Sequence, residues 1–120
     1  MNRVVAITGA ISLCFVAHAM GAELTDQTRC VDAIKRFDPP QTGLRELADY
    51  IKNVMELLDR KHTEDGEPGI IAQLSDDGFW NLVDSTTVWC RDHPRQTVYN
   101  AAAFIYTGTR ELELELGTAK

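Results

Sequence analysis

Val88-Trp89-Cys90-Arg91-Asp92-His93-Pro94 decides the fold. An apolar periodicity runs into this stretch: Phe79, Val83, Thr86 and Cys90 fall at helical spacing, and Leu82 and Trp89 widen the face. Asp92-His93-Pro94 then breaks it, because the residue before a proline is driven out of the helical region. Pro94 suits the first position of a following helix, where its missing N–H costs nothing. The stretch therefore predicts the end of one helix, the start of another, and a cysteine at the corner between them.

Working outward, Ser75 caps the helix that ends at this corner, with Asp76 and Asp77 favourable at its N-terminus. The β-branched run Thr86-Thr87-Val88 lowers helix propensity, which packing can override. The helix after the corner should run from Pro94 to about Thr107 or beyond, with Val98, Ala101, Ala102 and Ile105 inward. Gly108 interrupts it, and Glu111 to Leu116 alternates with strand period although Glu and Leu are both good helix formers. Residues 108–120 read as a frayed helical tail or a mobile segment rather than a strand. Further upstream, Leu44, Leu47, Ala48, Ile51, Val54, Met55 and Leu58 form an unbroken amphipathic stripe behind a cap at Thr42. Arg45/Asp49, Lys52/Glu56 and Glu56/Arg60 are spaced for surface ion pairs. Thr25 or Asp26 can cap a first helix to Arg36 or Phe37, with Cys30, Val31, Ile34 and Phe37 on one side; Asp38-Pro39-Pro40 stops it. Between the second and third helices, His62 to Gly69 is an acidic loop, and Ile70 to Leu74 is a helical turn or an extended piece. The expected fold is all-α: a small single-domain bundle of four to five helices.

The N-terminus reads differently. Arg3 followed by the uncharged apolar run Val4 to Ala17, then the small residues Ala17, Ala19, Gly21 and Ala22, has the pattern of a cleaved signal peptide, residues 1–22, cut after Ala19 or Ala22. Cys14 lies inside that run, and Leu13 before it is too large for lipoprotein processing. The domain then occupies 23–120 with two cysteines, Cys30 and Cys90. Export places them where disulfides persist, and two cysteines allow one connectivity. The expected location is the periplasm.

All eighteen carboxylates lie beyond the leader, against eleven of the twelve Lys/Arg, for a net charge near −7. Such a chain is poorly suited to phosphate backbones or anionic membranes, so neither nucleic acid nor membrane is expected as a partner. Cys90 and His93 could suggest a thiolate–imidazole nucleophile, but two exported cysteines more simply oxidise. The acidic loop lacks the alternation and terminal Glu of an EF-hand. Ser75 and Ser85 lack a nucleophile elbow, and there is no phosphate-binding glycine loop. No enzyme, metal or cofactor is expected. Trp80 and Trp89 share one helix, so one can be core while the other is an edge anchor for a protein partner. Leu112, Leu114 and Leu116 are further candidates for protein contact.

The mature chain resembles the HdeA family of small periplasmic acid-stress chaperones. The resemblance rests on Thr28-Arg29-Cys30, the amphipathic second helix, and Cys90-Arg91-Asp92-His93-Pro94-Arg95-Gln96-Thr97-Val98-Tyr99-Asn100-Ala101-Ala102, and covers roughly residues 28 to 105. It implies a helical domain with one disulfide, often dimeric at neutral pH, that dissociates in acid and exposes apolar surface to denaturing periplasmic clients. The inter-cysteine segment here is longer than in the founding members. Tyr50-Ile51 to Met55 and His93-Pro94 to Ala103 also resemble the Tai/Rap immunity proteins, which neutralise secreted cell-wall amidases; that resemblance implies an inhibitor of one partner. The charge suits the first reading. Below the carboxylate pKa values, eleven Lys/Arg and two His leave the mature chain at about +13, and self-repulsion of that size loosens a small domain.

Overall fold

The computed structural model describes residues 24–37 and 44–117. The leader with Cys14, the Pro39-Pro40 connection and the Thr42 cap lie outside the described residues. Four α-helices follow in order: α1 Cys30–Phe37, α2 Leu44–Glu64, α3 Asp76–Asp92 and α4 Val98–Glu115, with a 3₁₀ turn, Ile71–Gln73, between α2 and α3. Helix α4 packs on both α2 and α3, and α1 lies mainly against α3. The expectation of an all-helical domain holds, and no β-strand occurs among the described residues.

Helix α2 is built as its stripe requires. Leu47, Ala48, Ile51, Val54 and Met55 are buried and Leu58 packs against them. None of the three spaced charge pairs closes to an ion pair. The helix is therefore held by burial, at roughly 25 cal/mol per Å² of apolar surface, and not by surface charge. Ser75 caps α3 by accepting from Gly78 N–H at 3.1 Å. The Thr86 and Thr87 hydroxyls donate back to the carbonyls of Leu82 and Val83 at 2.7 and 2.8 Å. That satisfies a threonine only 1% exposed in the core.

Two boundaries differ from expectation, for one reason. Helix α1 begins at Cys30, not after Thr25 or Asp26, and α4 begins at Val98, not Pro94. Thr25 instead closes a local turn, accepting from Thr28 N–H at its carbonyl and from Gln27 N–H at its hydroxyl. Pro94 sits in a turn closed by Gln96 N–H to His93 C=O at 3.0 Å, the second turn position that proline favours. The 94–97 segment is kept from helix because its carbonyls serve α1. Cys30 N–H donates to Gln96 C=O at 2.7 Å, Val31 N–H donates to Pro94 C=O at 3.0 Å, and Val98 N–H donates to Thr28 C=O at 2.9 Å. The first N–H groups of a helix have no partner within it, and here the chain beyond Cys90 supplies them. Thr97 then caps α4 through Asn100 N–H.

The clasp lies beside the Cys30–Cys90 disulfide, which bridges a separation of 60 residues with Cα atoms 5.0 Å apart. Both cysteines are buried. Val31, expected inside, is exposed; the inward face of α1 is Cys30, Ala33 and Ile34. Helix α4 continues through Gly108 to Glu115 and ends at Gly117, whose φ is 71°. The alternating Glu-Leu segment is thus helical.

Replacing Cys30 and Cys90 by serine is expected to lower stability by about 4 kcal/mol, the chain-entropy value for a loop of this length. Urea unfolding of the oxidised protein and the double variant measures it.

Candidate functional site

Asp59 lies on the inward side of α2, four residues after Met55 and eight after Ile51, and is 8% exposed. Among the described residues it is one of two buried polar side chains in the core; Thr86 is the other. Its carboxylate accepts three hydrogen bonds: from Ile70 N–H at 2.9 Å, Ile71 N–H at 3.1 Å and the Tyr106 hydroxyl at 2.6 Å. One side chain thereby joins α2, the start of the 3₁₀ turn and α4. Gly69 is required by closeness, since a Cβ there would lie 2.6 Å from Asp59 Oδ2. Tyr106 is 1% exposed. Burial first, and the Asp59 hydrogen bond next, push its phenol far above the usual range, so it remains a donor.

The loop expected from His62 starts later, because α2 runs to Glu64. Gly66, with φ 81°, takes the left-handed position after the helix. Glu67 N–H donates to His62 C=O and Gly66 N–H donates to Thr63 C=O, the paired pattern of a Schellman ending. The same two residues meet again through side chains, His62 Nδ1 donating to Glu67 Oε1 at 2.8 Å. That hydrogen bond, with help from the Arg110 charge, holds Glu67 below its ordinary 4.5. His62 stacks on Tyr106 at 6.1 Å, and Arg110 Nη2 donates to Pro68 C=O at 3.2 Å. Arg110 Nε is buried without a hydrogen-bond partner. The acidic loop is thus a fastening around Asp59, and no group of three His, Cys, Asp or Glu among the described residues is arranged to hold a metal.

The structure places the expected contact residues on different surfaces. Nine residues are two and a half turns, so Trp80 and Trp89 leave α3 on opposite sides. Trp80 is 44% exposed beside Phe79. Trp89 is half-buried in a stack, its ring centroid 4.0 Å from that of His93 and 5.3 Å from that of Phe104. His93 closes α3 by a side-chain hydrogen bond to Trp89 C=O at 2.8 Å; it does not face the buried disulfide as a base would face a nucleophile. Leu112, Leu114 and Leu116 are all exposed. On a helix, however, Leu112 and Leu116 share a side that Leu114 leaves. Phe104, exposed and stacked on Trp89, joins this surface without having stood out in the sequence. Asp59 and Tyr106 were also missed; the available signal was a carboxylate at an apolar position of the α2 stripe.

The cavity beside the disulfide, lined by Ala33, Leu47, Ile51 and Val98, measures about 10 Å³, too little for a small molecule. An open groove of about 540 Å³ runs along Lys52, Glu56, Arg60 and Thr63 beside Ile71. It carries charges of both signs. No helix among the described residues is long and apolar enough to cross a membrane. No family model matches the chain, nor does any curated protein or any solved structure.

Asp59→Ala would strand two backbone N–H groups and the Tyr106 hydroxyl, and is expected to lower stability by about 3 kcal/mol or more; Tyr106→Phe, losing one bond to a charged acceptor, is expected to lose about 1.5–3 kcal/mol. Urea midpoints at neutral pH check both. Glu67 is held below its ordinary value when folded, so its contribution is present above about pH 4.5 and is lost as pH falls through the depressed value. Wild type should accordingly exceed Glu67→Gln in stability at neutral pH, with the difference vanishing in strong acid, as read from paired denaturation curves.

Proposed function

We propose that the chain is an exported, non-enzymatic protein-binding domain of the periplasm that loosens in acid, in the manner of the HdeA chaperones it resembles. The observation that carries this reading is the unequal fastening of the two parts of the bundle. Cys30–Cys90 ties α1 to the end of α3 covalently. The end of α2, the 3₁₀ turn and the middle of α4 meet at a carboxylate, Asp59. Around Asp59 lie His62 on α2, Glu67 in the loop and Arg110 on α4, and the groove it lines also carries Lys52, Glu56 and Arg60. A carboxylate makes these three hydrogen bonds stronger than a neutral acceptor would. Acid neutralises Glu67, which weakens its hydrogen bond from His62 and removes the counter-charge to Arg110. The disulfide limits how far the chain then opens, while Ile70, Met55 and the inner side of α4 become available to an unfolded client. The disulfide also suits an oxidising compartment.

The experiment compares size, apolar-dye binding and suppression of client aggregation at pH 7 and at about pH 2–3. Client protection confined to low pH is expected, and Asp59→Asn should shift dye binding toward neutral pH. An unchanged size with no protection at pH 2 would rule the acid reading out.

One observation favours a second reading, an inhibitor or immunity protein of the Tai/Rap kind. Phe104, stacked on Trp89, and the tail leucines are already exposed in the folded form. Recovery from periplasm at pH 7 of one stoichiometric enzyme, in place of many clients at low pH, would decide for it.

A further inference from the structure

Helix α4 contains a residue that the isolated domain does not need. Gly108 lies in the interior of an 18-residue helix, where glycine is among the poorest formers. Its φ is not positive, and a Cβ built on it meets nothing within 4 Å. Neither a turn nor a close neighbour in the fold explains it.

Its surroundings do. Phe104, Gly108, Leu112 and Leu116 are spaced by four, so they form one ridge along the helix surface. The three side chains are 60%, 53% and 66% exposed, and Gly108 is an exposed notch between Phe104 and Leu112. Trp89 supports Phe104 from α3. The adjacent row, Thr107, Glu111 and Glu115, is exposed and acidic. The ridge lies along a helix that stays regular to its cap at Leu116, so its spacing is fixed. The pattern is half of a helix–helix interface: an apolar row with a notch that admits a second backbone, beside a row of negative charge.

We propose that this ridge docks an amphipathic helix of another protein, which crosses at Gly108 and sets a row of Lys or Arg against Glu111 and Glu115. Charge favours such a partner over a second copy. Arg110, the one basic residue of α4, is turned to Pro68 C=O. Antiparallel pairing of two α4 helices about Gly108 would bring Glu111 and Glu115 opposite Ile105 and Ala101, with no cation to meet them. The formal charge of the chain, −6, also opposes self-association. The proposal rests on the protein-binding reading above but not on acid activation.

The probe is a synthetic labelled helical peptide with a leucine row beside a lysine row, titrated with the oxidised protein at pH 7. Its twin carries glutamate in place of lysine. The lysine peptide should bind and the glutamate twin should bind at least about tenfold more weakly. Gly108→Leu, which fills the notch with space to spare in the monomer, should weaken binding about tenfold or more while leaving helicity intact and Tm equal or higher. Phe104→Ser and the Glu111→Gln/Glu115→Gln pair should weaken it too, and Trp80→Ser should not. Equal binding by wild type, Gly108→Leu and Phe104→Ser would overturn the ridge, leaving only bulk charge. A wild-type dimer in sedimentation that Gly108→Leu makes monomeric would overturn the choice of partner. Peptide binding without client protection at low pH removes acid activation alone. Client protection with peptide binding indifferent to Gly108→Leu removes the ridge alone.

Discussion

Helix α1 has eight residues, too few to persist by itself in water. It exists because the chain around Cys90 completes it. The disulfide brings its first residue to the end of α3, and the carbonyls of Pro94 and Gln96 accept its opening N–H groups. The bargain is reciprocal, since Thr28 C=O accepts from Val98 N–H at the start of α4. Two helix beginnings and one helix end are therefore settled at a single place. Helix α2 then fills the space that α1, α3 and α4 leave, with Ile51 and Met55 fully buried.

The other pole of the molecule is polar. Asp59, Tyr106 and the backbone of Ile70 and Ile71 do there what sulfur does beside α1. A buried carboxylate that accepts three hydrogen bonds is a rigid connector, and a demanding one, because each partner must be in place together. Gly69 shows how little slack exists: even a methyl group would meet Asp59. The surface follows different rules. Trp89 stacks with two rings, while the ridge from Phe104 to Leu116 stays largely exposed.

What the sequence disclosed depended on distance along the chain. The α2 stripe and the Ser75 cap are local patterns, so residues within one or two turns reveal them. Pro94 was misread because the groups that divert it, Cys30 and Val31 N–H, lie far back in the chain. Asp59 drew no notice because its hydroxyl partner is 47 positions away and its other donors are backbone. Gly108 and the alternating Glu-Leu run suggested a break. Continuous backbone hydrogen bonding and good helix formers prevailed instead. Among the contact candidates, the disulfide was legible from counting cysteines, whereas Phe104 required knowing that α3 and α4 lie side by side.

The clasp beside the disulfide has one more consequence. All of its hydrogen bonds come from residues near one or other cysteine, so it does not sense how many residues lie between them. Entropy for closing a flexible segment grows only logarithmically, about 0.6 kcal/mol for each doubling in length. The turn at Asp65 and Gly66 is exposed and carries no part of the clasp. A longer turn there would accordingly leave the corner's own hydrogen bonds in place, and would cost the domain chiefly what it takes from the Asp59 fastening on either side.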